Sequence, residues 1–253
     1  AALRARPQMT TNTQTAAEPG CGNEVIDMNT KAKLRTAVDA VMIILLMLLM
    51  AFELVGRRAH EWIGAGMFVL FIVHHVLNRK WTGNLLRGSY TSYRVLQTVL
   101  AALVLLAMAG AMVSAVLISR EVFAFLPIKG GRMFGRTLHM LSAYWGFVLM
   151  ALHLGLHWNR MMGMAGRLCR TPSRTRRILL RAAGICIAIC GLYAFIRRGI
   201  PDYLFLRTQF VFFDFEEPLI LFFLDYLAAM GLFVWIGHYL AKAVRLASRS
   251  NGR

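Results

Sequence analysis

Long apolar stretches are the feature that most constrains the fold of this chain. Six of them, at about residues 37–56, 60–79, 94–118, 137–158, 178–197 and 218–241, come close to the ~20 residues that a helix needs to cross a bilayer. Backbone groups cannot stay unpaired in lipid, and barrel strands would be shorter and would alternate in polarity. The sequence therefore predicts an all-α, polytopic membrane protein with six transmembrane helices.

Composition agrees with a lipid environment. The chain is 58% hydrophobic and 16% charged, whereas soluble domains are about 45–50% apolar and about 25% charged. Its net charge of +17 comes from 29 Lys and Arg residues against 12 Asp and Glu residues. In so apolar a chain we expect these cations to mark loops rather than to bind nucleic acid. A water-soluble enzyme, a nucleic-acid-binding module and a disordered chain are excluded, and the bilayer is the first predicted partner.

The distribution of cations predicts an orientation. Most Lys and Arg residues fall in the N-terminal tail, the 2–3 and 4–5 loops and the C-terminal tail, so the positive-inside rule puts both termini in the cytoplasm. We expect residues 1–35 to form a polar cytoplasmic tail, of which 1–27 are disordered or untranslated. Residues 36–160 then form a four-helix transmembrane core, and 161–253 hold two further helices. The aromatic, acidic outer loop 200–217 is interpreted as an interfacial belt, with a roof over a cofactor or a docking surface as alternatives.

The histidines carry the strongest functional pattern. All seven lie within or at the ends of predicted spans, where ionisable side chains are costly and usually functional. His60 and His74 are 14 residues apart, as are His139 and His153, and 14 residues turn a helix by about 1400°, close to four full turns. The two histidines of each helix therefore share a helix face. The two helices are predicted to be parallel, so His60 faces His139 (the outer pair) and His74 faces His153 (the inner pair).

Two level pairs of imidazoles on facing helices are the arrangement that holds two stacked haems. We predict two b-type haems with bis-histidine iron, the metal ligands being His60, His74, His139 and His153. Filling both axial positions leaves no open site on the iron, so the predicted activity is electron transfer within an oxidoreductase system, without a catalytic residue. Four cations near these sites could bind haem propionates, namely Arg57, Arg79, Arg136 and Arg160. A topological or snorkelling role is as open for each of them.

The remaining histidines are less sharply defined. His157, one turn after His153, is predicted to be a spare ligand or a contact for a quinone or a propionate. His75 points about 100° away from His74, which favours a hydrogen bond in the core. For His238, at the end of the last span, an interfacial role is the default.

Several other residues could act near these sites. Ser142 and Tyr144 are candidates for contacts to the iron ligands, and Gly146 could make room between porphyrins or serve a helix contact. Glu53 and Arg57 are four residues apart and predict an ion pair within one helix. Asp225 predicts an interhelical hydrogen bond, with a proton role at a quinone as the alternative.

Four segments resemble the flavinylation-associated cytochrome family of bacterial membrane proteins. They are HEWIGAGMFVLFIVHHVLNRKW at 60–81, SAVLISREVFAF at 114–125, LHMLSAYWGFVLMALHLGLHWN at 138–159 and DYLFLRTQFVFFDFEEP at 202–218. The likeness covers about residues 30–245. It implies a four-helix haem-binding core in the bacterial cytoplasmic (inner) membrane, with the four ligand histidines at the family's positions, and electron transfer to extracytoplasmic flavin-bearing proteins.

Three hypotheses follow from the sequence. In the first, a dihaem b-type cytochrome passes electrons between a quinol/quinone pool or donor protein and an extracytoplasmic flavoprotein, in a direction that stays open. In the second, the chain is the cytochrome b anchor subunit of a dehydrogenase, hydrogenase or ferric reductase. In the third, it is a haem-free transporter or a protein that handles metal ions or protons. The 14-residue intervals count against the third, because one metal ion needs its ligands within a few ångströms.

Overall fold

The computed structural model describes residues 21–85, 87–128, 130–166 and 174–250, and these ranges are helical with no strand. The helices are α1 (Cys21–Met50), α2 (Phe52–Leu77), α3 (Arg79–Gly83), α4 (Ser92–Ile118), α5 (Arg132–Leu156), α6 (Trp158–Gly166), α7 (Arg174–Arg197), α8 (Ile200–Leu204) and α9 (Leu219–Ser250). Residues 1–20 of the predicted tail lie outside the described residues, whereas residues 21–35 belong to α1.

Five helical segments in the described ranges are long and apolar enough to cross a membrane. They are Phe52–Leu77, Ser92–Ile118, Arg132–Gly163, Arg174–Arg197 and Leu219–Ser248, which match the second to sixth predicted spans. The expectation of an all-α, multi-pass membrane protein is confirmed. The first predicted span falls on the second half of α1, where charged residues precede the apolar run and the helix ends at Met50. A sixth span therefore stays a prediction.

α1 and α2 form an antiparallel hairpin that turns near Gly56. Gly56 has φ +73° and ψ 164°, a conformation that side chains with a Cβ rarely adopt. A hydrogen bond joins the two helices far from this turn: the Arg35 guanidinium of α1 donates to the Leu77 carbonyl oxygen of α2 at 2.9 Å. The predicted ion pair between Glu53 and Arg57 is wrong: Gly56 breaks the helix between them, and neither residue forms an ion pair within the described ranges.

α5 is the central helix of the body of the molecule. It packs between α4 and α9, and α7 packs on the far side of α9. Small residues allow these helices to approach closely: a Cβ on Gly155 of α5 would lie 2.9 Å from Gly237 Cα of α9, and a Cβ on Gly191 of α7 would overlap the Ala228 carbonyl of α9. The body is therefore a tightly packed set of helices around α5.

The α1–α2 hairpin meets this body mainly through side chains, apart from a limited close approach of α1 to α9. Close backbone packing of α2 is with α1 and the short α3, and its backbone stays apart from those of α4, α5 and α9. Buried side chains of the hairpin, such as Leu46 and Met67, join the same core as Phe147 of α5 and Tyr226 of α9. The result is a slot between α2 and α5 that only side chains fill.

The connection between α7 and α9, which is predicted to lie outside, divides into a buried part and an exposed part. In α8, Ile200, Tyr203 and Leu204 are buried, and Trp145 of α5 donates its ring N–H to the Leu204 carbonyl oxygen at 3.0 Å. Farther along, four aromatic side chains are largely exposed, namely Phe205, Phe210, Phe212 and Phe215. The loop therefore closes one end of the bundle and presents aromatic rings at the surface.

Candidate functional site

The two rings of the outer pair meet edge to face across the slot. His60 of α2 and His139 of α5 have ring centres 5.9 Å apart and planes inclined by 72°. Two imidazoles that bind one iron each place a nitrogen about 2 Å from it, so their ring centres lie about 6 Å apart. The spacing of this pair therefore fits a bis-histidine iron, and the parallel course of the two helices that the sequence predicted brings the rings together.

Ser114 of α4 orients the His139 ring. Its fully buried hydroxyl donates to the Ala111 carbonyl oxygen at 2.8 Å and contacts His139 Nδ1 at 3.1 Å. A hydroxyl that gives its single proton to the Ala111 carbonyl can accept from His139 Nδ1–H, and the same carbonyl, which can only accept, also interacts with His139. The tautomer inferred from these bonds has its lone pair on Nε2, the form that an imidazole needs in order to bind a metal. Sequence analysis had pointed to Ser142 instead.

Glu61 fixes the outer end of α2. Its carboxylate accepts hydrogen bonds from the Ser119 hydroxyl at 2.7 Å and from the backbone N–H groups of Arg120, Glu121 and Val122 at 2.9 to 3.1 Å. These donors lie just after α4, so one carboxylate ties α2 to the helix that carries Ser114. Sequence analysis missed Glu61, although an acidic residue beside His60 in an apolar span was a usable signal.

A carboxylate anchors one member of the inner pair. His74 Nδ1 lies 2.7 Å from Asp39 Oδ1 of α1, and the negative charge of Asp39 favours the Nδ1–H tautomer of His74. The other nitrogen, Nε2, meets only the Asn78 side-chain amide, at the long distance of 3.5 Å. His74 thus keeps an available lone pair on Nε2, as His139 does. Asp39 was not identified from the sequence, where it lies in a different predicted span, 35 residues away.

The second member of the inner pair lies near His74 without touching it. His153 is close enough to His74 and Asp39 to interact with them electrostatically, but its ring contact is with His157, at 4.9 Å between ring centres. His157 also interacts with Arg160 and Arg245. The predicted inner pair is therefore brought to one end of the slot, together with the spare histidine, in a looser arrangement than the outer pair.

Two buried imidazole nitrogens in the slot have no hydrogen-bond partner. They are Nδ1 of His60 and Nδ1 of His153, one in each pair, and a buried polar atom without a partner is uncommon. Between the two pairs lies Met67, which is seven residues from both His60 and His74, shares their helix face and is 2% exposed. The slot thus has imidazoles at its two ends and an apolar side chain between them.

The four candidate propionate-binding arginines lie at the surface. Arg57 and Arg136 near the outer pair, and Arg79 and Arg160 near the inner pair, are exposed. None of the four side chains forms a hydrogen bond or an ion pair with another described residue. The propionate contact and the interfacial role therefore both stay predictions, and Arg160 interacts electrostatically with His157.

Other residues from the sequence analysis have their main contacts elsewhere, although the His75 ring also lies 5.5 Å from that of His74. His75 is exposed and its Nδ1 contacts its own helix at the Phe71 carbonyl oxygen, 2.9 Å away. His238 packs its ring on Tyr239. Tyr144 is buried against Tyr203, with ring centres 4.5 Å apart, and a Cβ on Gly146 would meet only Ala107 of α4, at 3.8 Å. A Cβ at Gly146 would thus make only an ordinary contact, and both predicted roles of this glycine stay predictions.

Asp225 belongs to a charge cluster at the outer end of α7 and α9. Its carboxylate accepts from the Arg198 guanidinium at 2.8 Å and from Arg197 at 3.3 Å, and Glu217 accepts from the same two arginines. The predicted interhelical hydrogen bond is confirmed. Burial by itself lowers the pKa of Arg198, but its hydrogen bonds to Glu217 and Asp225 raise the pKa above the ordinary value, so the group stays charged.

Within the described ranges, no three His, Cys, Asp or Glu side chains form a group that could hold a bare metal ion.

The fold defines the class of this chain as a helical, multi-pass membrane protein. In comparisons with known proteins, no protein family, no curated protein and no solved structure matches it. The resemblance to the flavinylation-associated cytochromes therefore stays a prediction that rests on the four segments quoted above.

Proposed function

We propose that this protein is a transmembrane b-type dihaem cytochrome. One haem would be held by the outer pair and the other by the inner pair, one near each face of the bacterial cytoplasmic membrane. Electrons would pass between a quinol/quinone pool or donor protein and an extracytoplasmic flavin-bearing partner. The orientation with both termini in the cytoplasm is part of the same proposal and rests on the distribution of Lys and Arg.

The observation that carries the proposal is the outer pair. The ring centres of His60 and His139 are 5.9 Å apart, the spacing that one shared iron requires, and the slot that separates α2 from α5 is filled by side chains alone. The same interval along both helices brings His74 and His153 to the other end of that slot. Buried nitrogens of His60 and His153 that lack any partner also favour a group that is held there.

Each residue of the slot has a definite task in this proposal. A bound haem supplies one-electron oxidation and reduction of iron without large structural change. Ser114 and Asp39 hold His139 and His74 in the tautomer with a lone pair on Nε2, and Glu61 keeps α2 in register with α4. Met67 and Phe147, both buried, exclude water from the region between the two pairs.

The partners are inferred from surface chemistry and from the family resemblance. The exposed aromatic rings beyond α8, with the neighbouring acidic residues of the outer loop, offer a surface at the predicted outer face where a flavoprotein could bind. At the predicted inner face, His157 lies beside His153 and could contact a quinone. Neither contact is needed for haem binding, so each can be tested separately from it.

Haem content gives the direct test. We expect the purified protein to show a b-type reduced-minus-oxidised spectrum with about two haems per chain. His74→Ala and His153→Ala should each leave about one haem, because each removes an axial ligand of the same iron. His60→Ala and His139→Ala should have the same effect on the other haem. His75→Ala is the matched control, since it removes an adjacent imidazole whose Nδ1 contacts a carbonyl oxygen of its own helix.

The outcomes separate this proposal from its rivals. Unchanged haem content in both His74→Ala and His153→Ala would overturn the inner-site assignment. A colourless protein that moves metal ions or protons in vesicles would favour the haem-free alternative. Tight co-purification with an iron–sulfur or flavin subunit would instead indicate an anchor subunit of a larger enzyme.

A further inference from the structure

The two histidine pairs differ in the group that anchors their Nδ1–H. In each pair one imidazole has a hydrogen-bond partner at Nδ1 and the other has none. For the outer pair that partner is the neutral Ser114 hydroxyl, at 3.1 Å from His139. For the inner pair it is the Asp39 carboxylate, at 2.7 Å from His74. The outer pair also has a carboxylate nearby, since Glu61 acts electrostatically on His60, but no hydrogen bond joins these two residues. The sites therefore differ in that only the inner pair has a carboxylate bonded directly to one of its imidazoles.

This difference acts on the iron through the imidazole. A carboxylate that accepts the Nδ1 proton draws that proton toward itself, makes the ring more basic and strengthens its donation from Nε2. Stronger donation stabilises ferric iron more than ferrous iron, and the charge of Asp39 acts in the same sense. A serine hydroxyl forms a weaker, uncharged hydrogen bond and has a smaller effect. Hydrogen bonding to ligands is one of the means by which proteins tune haem potentials.

Nearby cations oppose the stabilisation of ferric iron by Asp39 only in part. Arg160 and Arg245 interact with His157, and the Arg245 guanidinium is stacked 3.9 Å from the centre of the Tyr93 ring. Neither arginine forms a hydrogen bond with His74 or Asp39 in the described ranges. Asp39 has half of its side chain exposed, which weakens its long-range field, but its direct bond to the ligand stays in place.

We infer that Asp39 makes the haem of the inner pair the lower-potential one, and so directs electrons from the inner pair to the outer pair. The inference rests on the proposed function and adds to it a direction that the sequence leaves open. Electron transfer toward the predicted outer face then runs downhill. Asp39 is a positioning residue in this scheme, because it acts through His74.

The test measures the inner haem alone. In a His139→Ala background, which should retain only the inner haem, Asp39→Asn keeps a side chain of the same shape and removes the charge. We expect the equilibrium constant for reduction to rise about tenfold, which for one electron is about 59 mV. In a His74→Ala background, the outer haem should keep its potential when Asp39 is changed. Glu53→Gln is the control for loss of an exposed carboxylate that contacts no histidine.

A second readout does not depend on haem. In haem-free protein with ¹⁵N-labelled histidine, His74 should show a protonated Nδ1 and an unprotonated Nε2, and Asp39→Ala should shift that balance toward the other tautomer. An unchanged inner potential in Asp39→Asn, or an outer haem of lower potential than the inner, would overturn the inference while the dihaem proposal stands. Absence of any haem in the purified wild-type protein would overturn both.

Discussion

The position of the proton on each imidazole decides which ring nitrogen of a slot histidine can bind a metal. Ser114 and Asp39 each hold an Nδ1–H and leave Nε2 of the ring available, whereas the partner imidazoles, His60 and His153, have no such anchor. The anchored ring supplies a pre-oriented ligand and the other ring can adjust to the group that enters. One fixed and one adjustable ligand per site is a consequence of which neighbours the fold provides.

Replacing Ser114 tests this residue-level account. Ser114→Ala removes the acceptor that orients His139, and loss of such a partner typically costs 10–100-fold in metal affinity. We expect the outer haem to bind about tenfold more weakly while the inner haem is retained. Haem titration of the purified variant measures the effect.

The control for this change is a second buried serine on the same helix interface. Ser142 is 7% exposed and faces Gly110 of α4 rather than a histidine. Ser142→Ala should leave the affinities for both haems unchanged. Equal loss of haem in the two variants would show that packing between α4 and α5, and not the hydrogen bond to His139, is responsible.

At the scale of helices, polar side chains connect elements that apolar packing alone would leave free to slide. Glu61 joins α2 to the end of α4, and the cluster of Arg197, Arg198, Glu217 and Asp225 joins the end of α7 to the beginning of α9. Both connections lie at the predicted outer end of the bundle. They hold the helix ends around the outer pair and around α8.

Neutralising Asp225 should destabilise this end of the bundle. Arg198 and Asp225 have only 14% and 17% of their side chains exposed, and breaking one partner of a buried ion pair typically costs about 3–5 kcal/mol. For Asp225→Asn, where Glu217 still compensates part of the charge, we expect a loss of about 2–3 kcal/mol in the free energy of unfolding. Unfolding in mixed detergent micelles measures it.

Asp202→Asn provides the comparison. Asp202 lies 3.7 Å from Arg207, and both side chains are about half exposed or more, so the change should cost at most about 1 kcal/mol. If Asp225→Asn lowers the free energy of unfolding by no more than Asp202→Asn does, the charge cluster does not hold α7 to α9.

The whole molecule consists of a helical hairpin set against a tightly packed body. Close backbone contacts join α4, α5, α7 and α9, while the α1–α2 hairpin contacts that body mainly through side chains, with a limited close approach of α1 to α9. A haem bound between α2 and α5 would therefore bridge the two parts. Electron transfer along the slot and attachment of the hairpin would depend on the same ligands.

Removing haem should for this reason weaken the whole protein. A ligand that binds only the folded state stabilises it by about 4 kcal/mol when present at about a thousand times its Kd. We expect haem-free wild-type protein to unfold at a lower Tm than the haem-bound form, and the His60→Ala and His139→Ala double variant to fall between them. A Tm that does not depend on haem would contradict a bridging position.

Much of this arrangement follows from patterns along the chain. The apolar stretches predicted the five helices of the described ranges that are long and apolar enough to cross a membrane. The equal intervals between histidines predicted which imidazole rings share a helix face. The pattern could not show Gly56 in a positive-φ turn, which separates Glu53 from Arg57. Nor could it distinguish Ser114 from Ser142, because both are small residues in apolar spans and their neighbours belong to other helices.

The sequence by itself determined that the chain is a helical membrane protein and that its histidines fall on two common faces, because helix period and hydrophobicity are local properties. Tertiary structure alone decided that His139 meets Ser114 and that His74 meets Asp39. These contacts join residues 25 and 35 positions apart on different helices, and their distances depend on how the helices pack. The different hydrogen-bond partners of the two sites, and with them the proposed direction of electron transfer, come from that packing.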